Sequence, residues 1–387
     1  MKFIHISDLH IGLKLLHHDL LEEQKDALRQ VVDYAAAIRP DAVVIAGDVY
    51  DKAVPPAEAV EVFDGFITAL SEAVPEMAIM AVAGNHDSAP RLECFSNLLS
   101  RQKIHIVGLP PMHEGEEIEK VRLRDEFGEV CFYLLPFVSP RMVREIIGPK
   151  DDGSAKSYAE AVGEIIGREE IDQGIRNVIV SHQFYLPSGV SAAEVPRAES
   201  EVVTVGNIDQ VPAEVLKSFE YAALGHIHRA MKVGEERFRY SGTLQACSVS
   251  EAGQKKSALC VALGEKGTAP VIEQLPIKPL HEVRVIKGTL EDILKQEGSE
   301  DYVSVVIESK GSEAAFDSVL KIRNAFPNLL EVKRSSKEIE EFSYSEAEAA
   351  TDKNPIDMCA AFIPSLDEED LRILEEVINE AQETGEI

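Results

Sequence analysis

Ala42-Val43-Val44-Ile45-Ala46-Gly47-Asp48-Val49-Tyr50-Asp51 decides the fold. Five apolar residues in a row read as a strand covered on both faces, the mark of a parallel sheet held between other layers. The run ends on Gly-Asp, so a carboxylate is delivered just beyond the strand's carboxyl end, where ligands gather in α/β sheets. Four more stretches repeat the arrangement. Lys2–Ser7 leads to Asp8-Leu9-His10, and Met77–Ala83 to Gly84-Asn85-His86-Asp87. Asn177–Val180 leads to Ser181-His182-Gln183, and Tyr221–Leu224 to Gly225-His226-Ile227-His228. The five loops are expected to converge on one edge of a sheet.

They bring carboxylate, imidazole and amide donors and no thiolate, a set that suits Mn, Fe, Zn or Mg rather than a cysteine zinc site. Asp8, His10, Asp48, Asn85, His182, His226 and His228 are too many ligands for one tetrahedral ion. Two ions about 3.5–4 Å apart, sharing one carboxylate, would use them, and that pairing serves displacement at phosphorus. Each motif alone has a structural reading; Gly-Asn-His-Asp, for instance, is also a turn pattern. The conjunction of five points to a metal site.

At the residue level, His-Ile-Ser-Asp-Leu-His-Ile-Gly (5–12), Gly-Asp-Val-Tyr-Asp (47–51), Gly-Asn-His-Asp-Ser (84–88) and Ala-Leu-Gly-His-Ile-His-Arg (223–229) resemble the signature of the calcineurin-like metallophosphoesterase superfamily. The likeness is strongest to its DNA nuclease subunits that work with an SMC-like ATPase, and it extends to Tyr240-Ser241-Gly242-Thr243. The resemblance implies one metal on Asp8, His10, Asp48 and His228 and a second on Asp48, Asn85, His182 and His226. It implies His86 as the group that protonates the leaving oxygen, with Asp51 as its orienting partner; the double-strand-break nucleases of archaea and eukaryotes carry His at the Asp51 position. Arg229 and His17 are weaker candidates for substrate contact. The implied activity is a Mn-dependent (alternatively Mg-dependent) exonuclease and endonuclease on double-stranded DNA ends and hairpins. The implied partners are DNA, the ATPase subunit and a second copy of the chain. Two other readings stand beside it: a small-molecule phosphodiesterase with the same metals, and a dimerising, non-catalytic clamp for the ATPase.

The chain has 387 residues, 45% of them apolar, enough for two domains with a sizeable core. Its formal net charge of −29 opposes a broad nucleic-acid-coating surface, because phosphate neutralisation needs Lys and Arg. Much of the acidity lies outside the motif loops, in 114–129 and 336–387. The five cysteines (94, 131, 247, 260, 359) form no CxxC pair and read as reduced thiols. No apolar run approaches 18 residues and no signal peptide precedes the first strand, so a soluble, cytoplasmic protein with no membrane partner is expected.

Helical spacing predicts a helix over 19–39, stopped by Pro40, and a second opened by Pro55-Pro56 with a buried stripe of Val60, Phe63, Ile67 and Leu70. Strand–helix alternation predicts parallel pairing. Strands at 237–241, 256–263 and 270–275 read as a second sheet packed on the first, giving a four-layer, two-sheet α/β sandwich flanked by helices over 1–278. A small α+β capping domain is expected over 279–337. An acidic linker and an amphipathic helix over 338–387, a possible tether for the ATPase, complete the chain. Residues 186–207 read as a long irregular loop, a weak candidate for DNA contact.

Overall fold

The computed structural model describes residues 1–151, 153–187, 189–190, 195, 197–201, 209–308 and 315–334. The linker and helix expected over 338–387, and much of the 186–207 loop, lie outside the described residues.

Four strands form the parallel part of the first sheet: β1 (Lys2–Ile6), β2 (Ala42–Ala46), β3 (Ala78–Val82) and β4 (Ile104–Val107). Every residue of β2 and β3 is buried, as their unbroken apolar sequences require. The crossovers are α1 (Leu21–Ile38) and α2 (Ala57–Ala73). α1 ends where Arg39 turns left-handed, ahead of Pro40, and its N–H returns to Ala35. α2 buries Ala59, Phe63, Phe66, Ile67 and Leu70; Val60, expected in that stripe, faces outward.

The second sheet has the order β9-β10-β8-β7-β6-β5. Its strands are β5 (Glu119–Asp125), β6 (Gly128–Leu135), β7 (Arg176–His182), β8 (Tyr221–Gly225), β9 (Met231–Val233) and β10 (Glu235–Tyr240). The two strands β11 (Lys256–Ala262) and β12 (Val271–Ile277) do not join it, contrary to the sequence-based expectation. β11 pairs antiparallel with β1, Phe3 opposite Val261, and β12 pairs with β11, so they extend the first sheet.

The sheets pack face to face through Phe3, Val44, Met80, Phe132, Val178, Tyr221 and Val261. Phe3 sets its ring edge-on against Phe132 and Tyr221, each with centroids 5.5 Å apart, and truncating such a residue costs about 3–5 kcal/mol. Alternate residues, Ile4, Ile6, Val43 and Ile45, face Leu28, Val31, Phe63 and Leu70 of α1 and α2. On the far side α3 (Tyr158–Gly167), started by a Ser157–Glu160 capping box, covers the second sheet through Val162 and Ile165. Helices, sheet, sheet and helix make the four layers.

A smaller parallel sheet follows: β13 (Val283–Gly288), β14 (Tyr302–Ile307) and β15 (Leu329–Arg334), with α4 (Leu290–Leu294) and α5 (Ala315–Ala325). It has its own core, including Ile286, Ile293, Val305, Ile322 and Phe326. It rests on the hairpin that follows the first motif loop. Leu15 and Leu20 cluster there with Tyr302 and Leu330, and His18 Nε2 lies 3.3 Å from the Leu329 carbonyl. No helix among the described residues is long and apolar enough to cross a membrane.

Candidate metal centre

The motif loops leave the carboxyl ends of β1, β2 and β3 in one sheet and β7 and β8 in the other. The site therefore straddles two sheets, where a single sheet edge was expected. The turns are tight. Asp8, His10, Asp48 and His226 have φ of 52°, 42°, 49° and 109°, each costing on the order of 1–3 kcal/mol for a non-glycine residue. A ladder holds them: Asp8 N–H donates to Gly47 O at 3.0 Å and His10 N–H to Asp48 O at 3.0 Å. Asp87 braces the same loops, its carboxylate accepting from the N–H groups of Val49, Tyr50 and Gly84. Two glycines are obligatory for packing. A Cβ on Gly84 would fall 2.1 Å from Asp48 Oδ1, and one on Gly225 would fall 1.8 Å from the Ala46 carbonyl.

All seven expected ligands meet. His10 Nε2 stands 3.1 Å from His228 Nε2, and Asp8, His10 and His228 offer donor atoms within 4.8 Å of one another. Asn85 Oδ1 lies 3.0 Å from His182 Nε2 and 3.1 Å from His226 Nδ1. Asp48 sits between the two groups, its Oδ2 3.7 Å from His10 Nε2 and 3.2 Å from His182 Nε2. Its other oxygen accepts from His86 N–H at 2.9 Å. His182 is fixed from behind by the Ala46 carbonyl, 2.8 Å from its Nδ1.

The electrostatics suit cations. Burial holds the His10 imidazole down to about 3 and His226 well below its usual range, so both are neutral with lone pairs to offer. Burial also lifts Asp8 to about 6; at Asp48 burial is outweighed by the neighbouring His182, and the carboxyl falls well below its usual range. The buried imidazoles of His10 and His228 pointing nitrogen at nitrogen, and a buried His10 Nδ1 with no hydrogen-bond partner among the described residues, leave donor capacity that divalent cations would take up.

His86 lies beside this cluster, its ring edge-on to His10 with centroids 4.9 Å apart. Its Nδ1 is 2.9 Å from the backbone carbonyl of Asp51. The orienting contact assigned to the Asp51 carboxylate is thus made by the main chain of the same residue. That carboxylate faces His10 instead, Oδ1 to Nδ1 at 3.9 Å. His17 is exposed on the 14–19 hairpin with its ring against His18, outside the ligand clusters, and Arg229 is exposed just past His228.

Sequence reasoning missed a set of supporting residues. Glu251, 1% exposed, accepts from Lys256 Nζ at 2.6 Å and from Ser200 Oγ at 3.0 Å. Burial would raise its carboxyl, but His228 and Lys256 outweigh it and hold the group at about 2. Glu201 accepts from His228 N–H at 2.9 Å and from Arg197 Nε at 3.0 Å. Arg197 lies over the Phe184 ring at 4.3 Å and reaches His226 Nε2 at 3.1 Å. None of these belongs to a spaced motif; the Ser-Glu pairs at 200–201 and 250–251 were the only sign.

Residues 1–141 match the family of calcineurin-like phosphoesterases. Among curated proteins the chain is similar to SbcD, the nuclease component of SbcCD, from Staphylococcus epidermidis, 27% identical over 341 residues that cover 85% of this chain and 84% of the relative. Among solved structures, TT1561 of Thermus thermophilus aligns with a TM-score of 0.41 and 14% identity, covering 72% of this chain and 99% of that one. A dimetal phosphatase from Danio rerio aligns with a TM-score of 0.39 and 14% identity over the same shares. Residues 1–141 are similar to the calcineurin-like phosphoesterases, and the chain is a metal-dependent hydrolase.

Proposed function

We propose that the chain is a two-metal nuclease, with Mn²⁺ as its ion and Mg²⁺ as the alternative. It hydrolyses phosphodiester bonds in double-stranded DNA ends and hairpins, as exonuclease and endonuclease, in recombination and repair. The observation that carries this reading is the meeting of seven nitrogen and oxygen ligands from two sheets around Asp48, in a chain similar to the nuclease component of SbcCD. The ligand sets are those implied by the resemblance, with Asp48 shared. Bound there, the ions would supply positive charge and a water of lowered pKa for in-line attack. His86 donates its Nδ1 proton to the Asp51 carbonyl, so its Nε2 edge is turned toward the site, and the second proton of the imidazolium, on Nε2, is the one given to the leaving oxygen. Arg229 and His17 are assigned to the strand backbone flanking the cut.

The proposed division is a nuclease domain over 1–278, a cap over 279–337 that bounds the substrate's approach, and a tether over 338–387. The tether serves an SMC-like ATPase of the SbcC kind, which supplies the DNA grip that a chain of charge −29 lacks. The nuclease works in the cytoplasm as a homodimer; the exposed Phe95 and Leu98, and Val60 on α2, supply apolar surface for the second copy.

The test is cleavage of linear and hairpin DNA with Mn²⁺, with and without the ATPase and ATP, beside an aryl phosphodiester. Mn²⁺-dependent DNA cutting that tracks the dimer is the expected result. The strong negative charge favours one rival, a small-molecule phosphodiesterase, and turnover of the aryl ester with DNA untouched in the full complex would establish it.

A further inference from the structure

The His-x-His ligands are gripped from the side opposite the other ligands. Ser200 Oγ lies 2.8 Å from His228 Nδ1 and 3.0 Å from Glu251 Oε1. Glu251 is in turn clamped by Lys256 Nζ at 2.6 Å, Thr243 Oγ1 at 3.2 Å, Ser248 Oγ at 3.1 Å and the Cys247 N–H at 3.2 Å. The segment that carries Ser200 is pinned on both flanks. Glu199 N–H donates to Ser250 Oγ at 3.0 Å, and Glu201 accepts from His228 N–H at 2.9 Å.

Proton counting fixes the direction of this chain of bonds. A serine hydroxyl has one proton. Glu251, ion-paired with Lys256, is an acceptor only, so the Ser200 proton must point to it. Ser200 then turns a lone pair to His228, and the imidazole must donate from Nδ1. Its Nε2, on the side facing His10 Nε2, is then the nitrogen turned toward the other candidate ligands. We propose that Glu251, acting through Ser200, is the positioning residue that locks His228 into the Nδ1–H form and so presents Nε2 to the metal. This inference rests on the dimetal reading for its consequence, but its own content is the tautomer. Outer partners of ligating histidines work this way elsewhere, and losing one weakens metal affinity by about 10–100-fold.

The experiment uses the full chain with ¹⁵N-labelled histidine. In the metal-free protein, ring nitrogen shifts are expected to show His228 protonated at Nδ1. In Ser200→Ala that preference should vanish, and calorimetric titration with Mn²⁺ should show a loss of about 10–100-fold at one site. Ser200→Thr, which keeps the hydroxyl, should restore both. Glu251→Gln should act as Ser200→Ala does; if it fails to fold, the serine pair still decides. An Nε2–H tautomer in the unsubstituted chain overturns the proposal, as does a Ser200→Ala protein with unchanged tautomer and unchanged Mn²⁺ affinity. A chain that binds no Mn²⁺ sinks the dimetal reading instead, while the nitrogen shifts still judge the tautomer.

Discussion

β7 carries a buried polar cluster at each end. At its start Arg176, 2% exposed, meets both carboxylate oxygens of Asp125 and the carbonyls of Gly128, Leu263 and Gly264. At its finish His182 meets Asp48 and Asn85, and beyond them two histidine nitrogens face each other. The first cluster pairs a cation with an anion and ties both to the backbone. The second gathers four imidazoles, two carboxylates and an amide around one small volume. Deeply buried polar groups, Arg176 and His182, stand at both ends, so burial alone does not mark a functional site; a concentration of metal-ligating donor atoms does.

Substitutions can break that contrast. His86→Gln is expected to lower DNA cleavage about 10²–10⁴-fold while the bound Mn²⁺, counted by elemental analysis, stays the same. Lost metal would place His86 among the structural ligands instead. At the other end, Arg176→Met leaves the half-buried Asp125 with only the Met1 ammonium as a cationic partner and removes the guanidinium's contacts with the Gly128, Leu263 and Gly264 carbonyls. It should cost about 3–5 kcal/mol in denaturant unfolding without altering Mn²⁺ affinity of the folded fraction. Adding Asp125→Leu should deepen that loss, because the buried Met1 ammonium then loses its carboxylate, and a double variant more stable than the single would show that the Met1 contact contributes little.

Acid titration sharpens the comparison. The Arg176 guanidinium holds the Asp125 carboxyl well below its usual range. A depressed folded value stabilises above the unfolded value of about 3.9, so this contribution should survive mild acid and fade only as pH falls through the lower folded value. The smallest effect is expected where the cap meets α1. Glu23, 2.7 Å from His281 Nδ1, raises that imidazole above its usual value. A raised folded value stabilises fully below about 6.5 and is lost as pH climbs through the folded value. Amide protection factors in β13 and the 14–19 hairpin, corrected for intrinsic exchange, should therefore fall slightly from neutral to alkaline pH, and not in Glu23→Gln.

Most of the sandwich, and the convergence of the seven candidate ligands, were legible because both depend on local pattern. Strands covered on two faces must be unbroken apolar runs, and the loops after them can be recognised one at a time. What was not legible depends on neighbours far along the chain. The sequence of β11 and β12 says strand, but only packing says that β11 pairs with β1 and β12 with β11. Val60 fits the helical spacing yet faces out, because the buried stripe runs through Ala59, Phe63, Phe66 and Leu70. Asp51 was read by its side chain, whereas the fold uses its carbonyl. Glu251 and Ser200 stand in unremarkable sequence and gain a role only when a loop folds over His228.

One consequence of drawing ligands from both sheets concerns order in time. During synthesis the loops holding Asp8, Asp48 and Asn85 emerge long before those holding His182 and His228. An N-terminal fragment would present half a cage with weak hold on any ion. Tight Mn²⁺ uptake by a nascent chain would thus register the moment at which the second sheet closes on the first.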